Sequence, residues 1–339
     1  MKKTIAITSA LAAASSLATA EIKINEFLSF EGFVDMSYSH TDNDSDSTAP
    51  ADSASDNSFS IDQVEIDWLF NFGKVTAQVD LQYENGANGQ NDATEVEQAF
   101  VSYDLGNGSA LTMGRYESML GLEAKEPTGL YQFSTAYDDS AYLPQYGQGV
   151  KYTGQSGDLS YGVSLQDESF DNDGSRLGGN STNQVDGSYS IEAAVALTSG
   201  NFTYSLGGAF EDADDQGDNS IINAHVTYVS GAWTLGAEYN VADIESDDNA
   251  EVDSWLVMAN YAYSDCCSVT GRISSVDSSD DNTPSLGNGD VERFQYTLAH
   301  NYALSDNLAI ITEVSYVEED DNGIDSESLT GAVEVLFTF

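Results

Sequence analysis

From residue 28 onward the chain alternates hydrophobic with polar positions in short runs, separated by stretches rich in Gly, Asn, Asp and Ser. Residues 74–84 show the pattern most clearly. Val75, Ala77, Val79, Leu81 and Tyr83 alternate with Thr76, Gln78, Asp80, Gln82 and Glu84. Successive side chains of a β-strand point to opposite faces, so this spacing predicts a strand with one apolar and one polar face. The pattern recurs at Leu28 to Tyr38, Val64 to Phe72, Ala99 to Leu105, Leu111 to Met113, Val150 to Tyr152, Leu159 to Leu165, Tyr189 to Leu197 and Phe202 to Phe210. It continues at Ile222 to Tyr228, Trp233 to Val241, Trp255 to Tyr263, Val269 to Ile273, Phe294 to Tyr302, Leu308 to Tyr316 and Leu329 to Phe339. About sixteen strands result, an even number, as single-chain bacterial membrane barrels have.

The connections alternate as well. Tight turns are expected near Gly73, Asn107-Gly108, Ser156-Gly157, Ser199-Gly200, Ser230-Gly231, Asp265-Cys266 and Asp306-Asn307. Between them lie long polar loops at 40–57, 85–93, 117–147, 169–186, 212–219, 244–252, 277–290 and 318–327. Strict alternation of short and long connections suits an antiparallel, up-and-down barrel with short turns in the periplasm, long loops outside, and both termini on the periplasmic side. A soluble β-sandwich has no reason to sort its loops in this way.

The aromatic residues decide which face meets which solvent. Trp68, Trp233 and Trp255 all fall on the apolar face, as do all tyrosines except Tyr116, Tyr131, Tyr137, Tyr142 and Tyr146, which lie in or beside one loop. Rings with a polar tip belong at the two interfaces of a bilayer. The opposite face carries Asp, Glu, Gln, Ser and Thr, which a packed core does not accept unpaired. The apolar face therefore points to lipid, and the polar face lines the interior.

Charge refines this picture. The formal net charge is −47, and becomes −49 if Lys2 and Lys3 leave with the amino terminus. Lys2-Lys3, the short apolar run Ile5 to Ala14, and Ala18-Thr19-Ala20 have the layout of a secretory signal peptide spanning residues 1–20. The mature chain, 21–339, then forms a single barrel domain. So acidic a chain excludes nucleic acid as a partner, because phosphate contacts need Lys and Arg. Disorder is excluded by the abundant, patterned aromatic residues. On the strict register the inward acids are Glu31, Asp35, Glu65, Asp67, Asp80, Glu84, Asp104, Glu192, Glu238, Glu313 and Glu334, and the inward bases are Lys151, Arg272 and Arg293. Many of these acids lie on the last two and first three strands, which become neighbours on closure. The expected result is a negative pore wall that favours cations.

Three segments carry a resemblance. The last strand, Leu329-Thr-Gly-Ala-Val-Glu-Val-Leu-Phe-Thr-Phe339, ends in Phe. Ala99-Phe-Val-Ser-Tyr-Asp-Leu-Gly is followed by Leu111-Thr-Met-Gly-Arg-Tyr. Gly121-Leu-Glu leads through Leu143-Pro-Gln-Tyr-Gly to Gly149-Val-Lys-Tyr. Together they resemble the Gram-negative outer-membrane porin superfamily, general porins and the OmpL-like β-barrel porins included. The resemblance implies a passive diffusion channel for small hydrophilic solutes and ions, and a terminal Phe339 read by the barrel assembly machinery. It also implies outer-membrane lipid as surroundings, a homotrimer, and a long third loop folded inward to narrow the pore. Here that loop is 117–147, whose aromatic, weakly charged composition suits packing inside the barrel. The resemblance places Arg115 at the constriction, on the wall beside this loop, and Lys151, inward on the strand register, joins it there. Strict alternation instead puts Arg115 on the lipid side, which a bulge at Gly114 would reconcile. Porin loops carry acids near a Pro-x-aromatic-Gly stretch. This chain has Gln145 there, which leaves Glu117, Glu123, Glu126, Asp138 and Asp139 as the candidate constriction acids.

Other readings stay open at this point. A closed surface barrel would act through its acidic outer loops, and a sugar-type specific channel would use Tyr131, Phe133, Tyr137, Tyr142 and Tyr146 as a sliding surface. No catalytic motif appears among His40, His225 and His300 or elsewhere, so no enzyme is expected. No cofactor is required; the outer acids, such as Glu318, Glu319, Asp320 and Asp321, are either a solvated surface or a place for structural calcium. Cys266 and Cys267 are either an incidental pair or a strained vicinal disulfide.

Overall fold

The computed structural model describes residues 21–45, 55–84, 93–137, 142–170, 189–212, 217–245, 250–279, 290–321 and 323–339. The leader, 1–20, lies outside the described residues, as do Asp138 and Asp139. A two-residue strand β1 (Ile22–Lys23) precedes the wall strands β2 (Leu28–Ser45), β3 (Ser55–Asn71), β4 (Val75–Glu84), β5 (Ala93–Gly106), β6 (Ser109–Glu117), β7 (Tyr146–Ser156), β8 (Leu159–Gln166) and β9 (Tyr189–Ser199). The wall continues with β10 (Phe202–Asp212), β11 (Asp218–Ser230), β12 (Trp233–Ile244), β13 (Ala250–Ser264), β14 (Cys267–Ser279), β15 (Val291–Ser305), β16 (Leu308–Asp321) and β17 (Ile324–Thr338). Each wall strand pairs antiparallel with the next, and β17 returns to β2 from Ser326↔Ser45 to Thr338↔Phe33. The sheet is therefore a closed barrel of sixteen strands, with every ladder satisfied and no open edge. Phe339 completes the seam by exchanging backbone hydrogen bonds with Gly32 at 3.0 and 2.9 Å.

The two faces sort as the alternation predicts. Leu111, Met113, Leu165, Leu206, Ile222, Val257, Leu298, Val314, Tyr239, Tyr263 and Trp233 are exposed on the outside. Ser190, Glu192, Asn223, Asn240, Ser254, Thr270, Arg272, Ser274 and Glu334 are buried on the inside. The short turns fall where expected, and positive φ at Gly73, Gly108, Gly157, Gly200 and Gly231 explains why glycine recurs there. Among the described residues, no helix is long and apolar enough to cross a membrane. The 3-10 turn Pro127–Gly129 interrupts the longest connection.

Two expectations need correction. The segment 318–327 is not a long loop: β16 runs to Asp321 and β17 starts at Ile324, with Glu318, Glu319 and Asp320 paired to Glu327, Ser326 and Asp325. Polar side chains extend the ladder because strand pairing is a backbone property. Asp104, on the same face as Ser102, is exposed at the end of β5, and its Oδ1 accepts the Gly106 N–H at 2.7 Å to cap a short turn. The inner face is not uniformly polar. Ala209, Ile221, Ala242, Ile244, Ala250, Val252, Leu256 and Met258 form an apolar patch on β10 to β13.

Candidate functional site

That inner apolar patch is covered by the segment between β6 and β7. Met119, Leu120, Leu122, Tyr131, Ala136, Tyr137, Tyr142 and Leu143 are buried in one cluster with it. The segment is closed at its base by Ser118 N–H donating to Gln145 O at 2.7 Å. Polar wall residues then hold its backbone. Glu192 on β9 accepts from Ser118 Oγ at 2.7 Å and from Met119 N at 2.6 Å. Glu313 on β16 accepts from Phe133 N at 2.8 Å and Ser134 N at 3.1 Å. Arg272 on β14 donates to Ser134 O at 2.7 Å, Thr135 O at 2.8 Å and Glu123 Oε1 at 2.8 Å. Asn301 on β15 and Thr270 on β14 both donate to Tyr131 O. Charged and polar wall groups thus take several of the segment's N–H groups and carbonyls, which a buried backbone needs.

Two loop acids act as hubs. Glu123 accepts from Arg272, from Gln132 Nε2 at 2.7 Å and from Ala136 N at 2.8 Å. Glu126 accepts from Gln63 Nε2 at 3.1 Å and from the Tyr146 hydroxyl at 3.2 Å. Burial, then the neighbouring Glu97, pushes the Glu126 carboxyl well above the ordinary range. Burial lowers the Lys125 ammonium, against the opposing pull of Glu117, Glu238, Glu192 and Glu123. Glu117 offers its backbone: Gln98 Oε1 accepts its N–H at 2.9 Å, and its carbonyl accepts from Lys151 Nζ at 2.9 Å. The Lys151 ammonium also lies 4.2 Å from the Tyr116 ring centroid.

Arg115 is buried at 6% exposure, not lipid-facing as strict alternation has it. Its Nε donates to Glu97 O at 2.8 Å, and its guanidinium lies 5.4 Å from the Tyr146 ring centroid. The break occurs at Gly114 but is not a bulge. Pairing runs without a shift from Met113↔Val101 through Gly114↔Phe100 to Arg115↔Ala99. Gly114 instead has φ +131°, and a Cβ there would sit 2.1 Å from Ala99 O. Only glycine permits this backbone.

The remaining inward acids gather along β2 to β5 and β17. Asp35, Glu65, Asp80 and Glu334 are buried, while Glu31 and Asp67 are partly exposed. A bulge leaves Asp62 unmatched between Asp35↔Gln63 and Met36↔Ile61, beside the acids Asp35 and Glu334. A second bulge lies between Val79↔Ala99 and Leu81↔Val96. It brings Glu97, which strict alternation groups with Ala99 and Val101 on the outside, into the interior. Alternation alone therefore missed Glu97 and Asp62. Elsewhere Glu238 accepts from Asn223 Nδ2 at 2.6 Å, and Arg293 lies 3.9 Å from Glu319. Cys266 and Cys267 are free thiols with their sulfurs 3.1 Å apart.

An apolar outer skin, a polar interior and a long segment packed on inner-face residues define an outer-membrane β-barrel of the porin type. The chain belongs to the family described as "Putative beta-barrel porin-2, OmpL-like", which matches residues 28–339, and this places it in the Gram-negative outer membrane. No curated protein matches it by sequence. Among solved structures it is similar to an anion-selective porin from Comamonas acidovorans, with TM-score 0.67 and 15% identity over 92% of this chain and 99% of that one. It is also similar to Salmonella typhi OmpF in complex with daunomycin, with TM-score 0.65 and 17% identity over 94% and 100% of the two chains. A third is in-vitro folded OmpT, an outer membrane protein of Vibrio cholerae in its trimer form, with TM-score 0.61 and 14% identity over 92% and 99%. At such identities the likeness concerns the fold. The family and these neighbours are channels rather than enzymes.

Proposed function

We propose that this barrel is a passive diffusion channel for small hydrophilic solutes and ions, with a preference for cations. The observation that carries the selectivity is the inner wall of β2, β3, β4 and β17, where Asp35, Glu65, Asp67, Asp80 and Glu334 lie together. Wall charge sets the ionic preference of a pore, and a field of one sign concentrates counter-ions at its mouth. Two of the inward bases have acidic partners of their own, Arg272 with Glu123 and Arg293 with Glu319. The segment 118–145 narrows the lumen, with Arg115, Glu117, Glu123, Glu126 and Lys151 as its charged constriction groups. In the cell the channel is a homotrimer, as OmpT's trimer form suggests, and Phe339 at the seam is the signal for barrel assembly.

The test is single-channel recording of the refolded protein in planar bilayers under a potassium chloride gradient. Steady open steps with a cation-directed reversal potential are expected. An anion-directed potential would remove the selectivity, and a folded barrel without conductance would remove the channel. One observation favours a second reading, a closed barrel that acts through its acidic exterior. The segment 118–145 touches inner residues of β3, β9, β14, β15 and β16, on several sides of the lumen. Conductance separates the two.

A further inference from the structure

A group of carboxylates lies where the loop meets the wall at β3 to β5. One carboxylate oxygen each of Glu65, Glu97 and Glu126 lies within 4.8 Å of the others, and the same holds for Glu65, Asp67 and Asp80. Glu65 belongs to both sets, so five carboxylates share one small volume. Glu65 and Asp80 are 3% and 0% exposed, and Glu97 is 8%. Among the described residues no salt bridge reaches any of the five. Like charges held this close and largely buried repel one another strongly.

The available donors are already placed, and they do not neutralise the group. Gln63 Nε2 donates to Glu65 Oε2 and to Glu126 Oε2, both at 3.1 Å. Gln78 and Gln98 donate to the same oxygen of Asp80, at 2.9 and 2.8 Å. Asp80 Oδ1 and Glu97 Oε2 are left buried with no donor, and so is Asp67 Oδ1. A buried carboxylate oxygen without a donor carries a desolvation cost that a cation removes. The arrangement is also built by a specific device, since the β4–β5 bulge brings Glu97 inward against Asp80.

We propose that Glu65, Glu97 and Glu126, with Asp67 and Asp80 beside them, form a binding site for a divalent cation of the calcium class that ties the loop to β3 and β5. Calcium takes six to eight oxygens at about 2.3–2.6 Å, so two of its ligands lie at most about 5 Å apart. The observed oxygen separations meet that limit. An all-carboxylate set with no His or Cys selects a hard cation over zinc or copper. Five carboxylates from the chain itself suit calcium better than magnesium, which keeps most of its hydration shell. The inference rests on the cluster and not on the channel reading.

Terbium(III), a calcium substitute that tyrosine sensitises, is the probe, because the Tyr146 hydroxyl is bound to Glu126. The refolded mature protein, stripped with chelator, is titrated with terbium and then competed with calcium. A saturable luminescent site displaced by calcium is expected. Glu126→Gln and Glu97→Gln should each weaken it by about tenfold or more. The outer-surface control Glu319→Gln with Asp320→Asn should leave it unchanged. Thermal unfolding supplies the second readout. Chelator should lower the midpoint of the natural protein but not of Glu126→Gln, which keeps the shape and loses one repelling charge. Binding that survives both inner substitutions, or is lost in the outer control, overturns the proposal. So does a midpoint indifferent to chelator in both proteins, because shared protons would then hold the cluster together.

Discussion

Arg272 on β14 and Glu123 in the loop, 149 residues apart, meet at 2.8 Å in the barrel interior. The Arg272 side chain has no exposure, and its two Nη atoms also donate to Ser134 O, Ser134 Oγ, Thr135 O and Thr297 Oγ1. One wall residue therefore fixes both a loop carboxylate and the backbone of the following turn. Removing one partner of such a buried pair leaves the other uncompensated, at a cost of about 3–5 kcal/mol. Arg272→Met should leave the barrel closed and release the loop. Limited proteolysis should then cut within 123–136, and channel recordings should become noisier. A protected loop and unaltered current would show that the apolar cluster alone holds it.

Gly114 is the backbone condition for burying Arg115. Gly114→Ala places a Cβ 2.1 Å from Ala99 O at a φ of +131°, so it should destabilise by more than about 1 kcal/mol. Gly271→Ala is the control, since a Cβ there meets nothing within 4 Å. Heat modifiability on gels, read as the temperature at which the folded band is lost, should fall for the first and hold for the second. Equal midpoints would mean the strand relaxes around the added methyl.

Asp35 and Glu334 are diagonal neighbours across the β17–β2 seam, outside the carboxylate group around Glu65. Replacing both, as Asp35→Asn with Glu334→Gln, removes two negative charges and keeps shape. The reversal potential in a salt gradient should move toward zero, since less counter-ion is held at the wall. A potential that stays put would assign selectivity to the loop instead.

Leu298 lies midway along β15 and is 61% exposed on the outer face. An arginine there would meet hydrocarbon, and Leu298→Arg should cost about 2–4 kcal/mol in a bilayer. Urea unfolding in phosphatidylcholine vesicles measures it. A change below about 0.5 kcal/mol, typical of an ordinary surface substitution, would mean that Leu298 does not face lipid.

The order of residues was enough to determine the strands, their number, the lipid-facing side and the positions of the short turns. These depend on a two-residue period and on local turn chemistry, which every strand carries in itself: Val75 to Tyr83 reads the same whatever its neighbours do. Alternation also put Glu65, Glu192, Arg272 and Glu313 on the inside. It could not tell which of them would be bound to the loop, because Glu313 meets Phe133 and Arg272 meets Glu123 only after the barrel has closed. Nor could it find Glu97 or the burial of Arg115. A bulge opposite Asp80 and the backbone at Gly114 each reverse the parity of the residues around them, and parity is a property of pairing between strands, not of either strand alone.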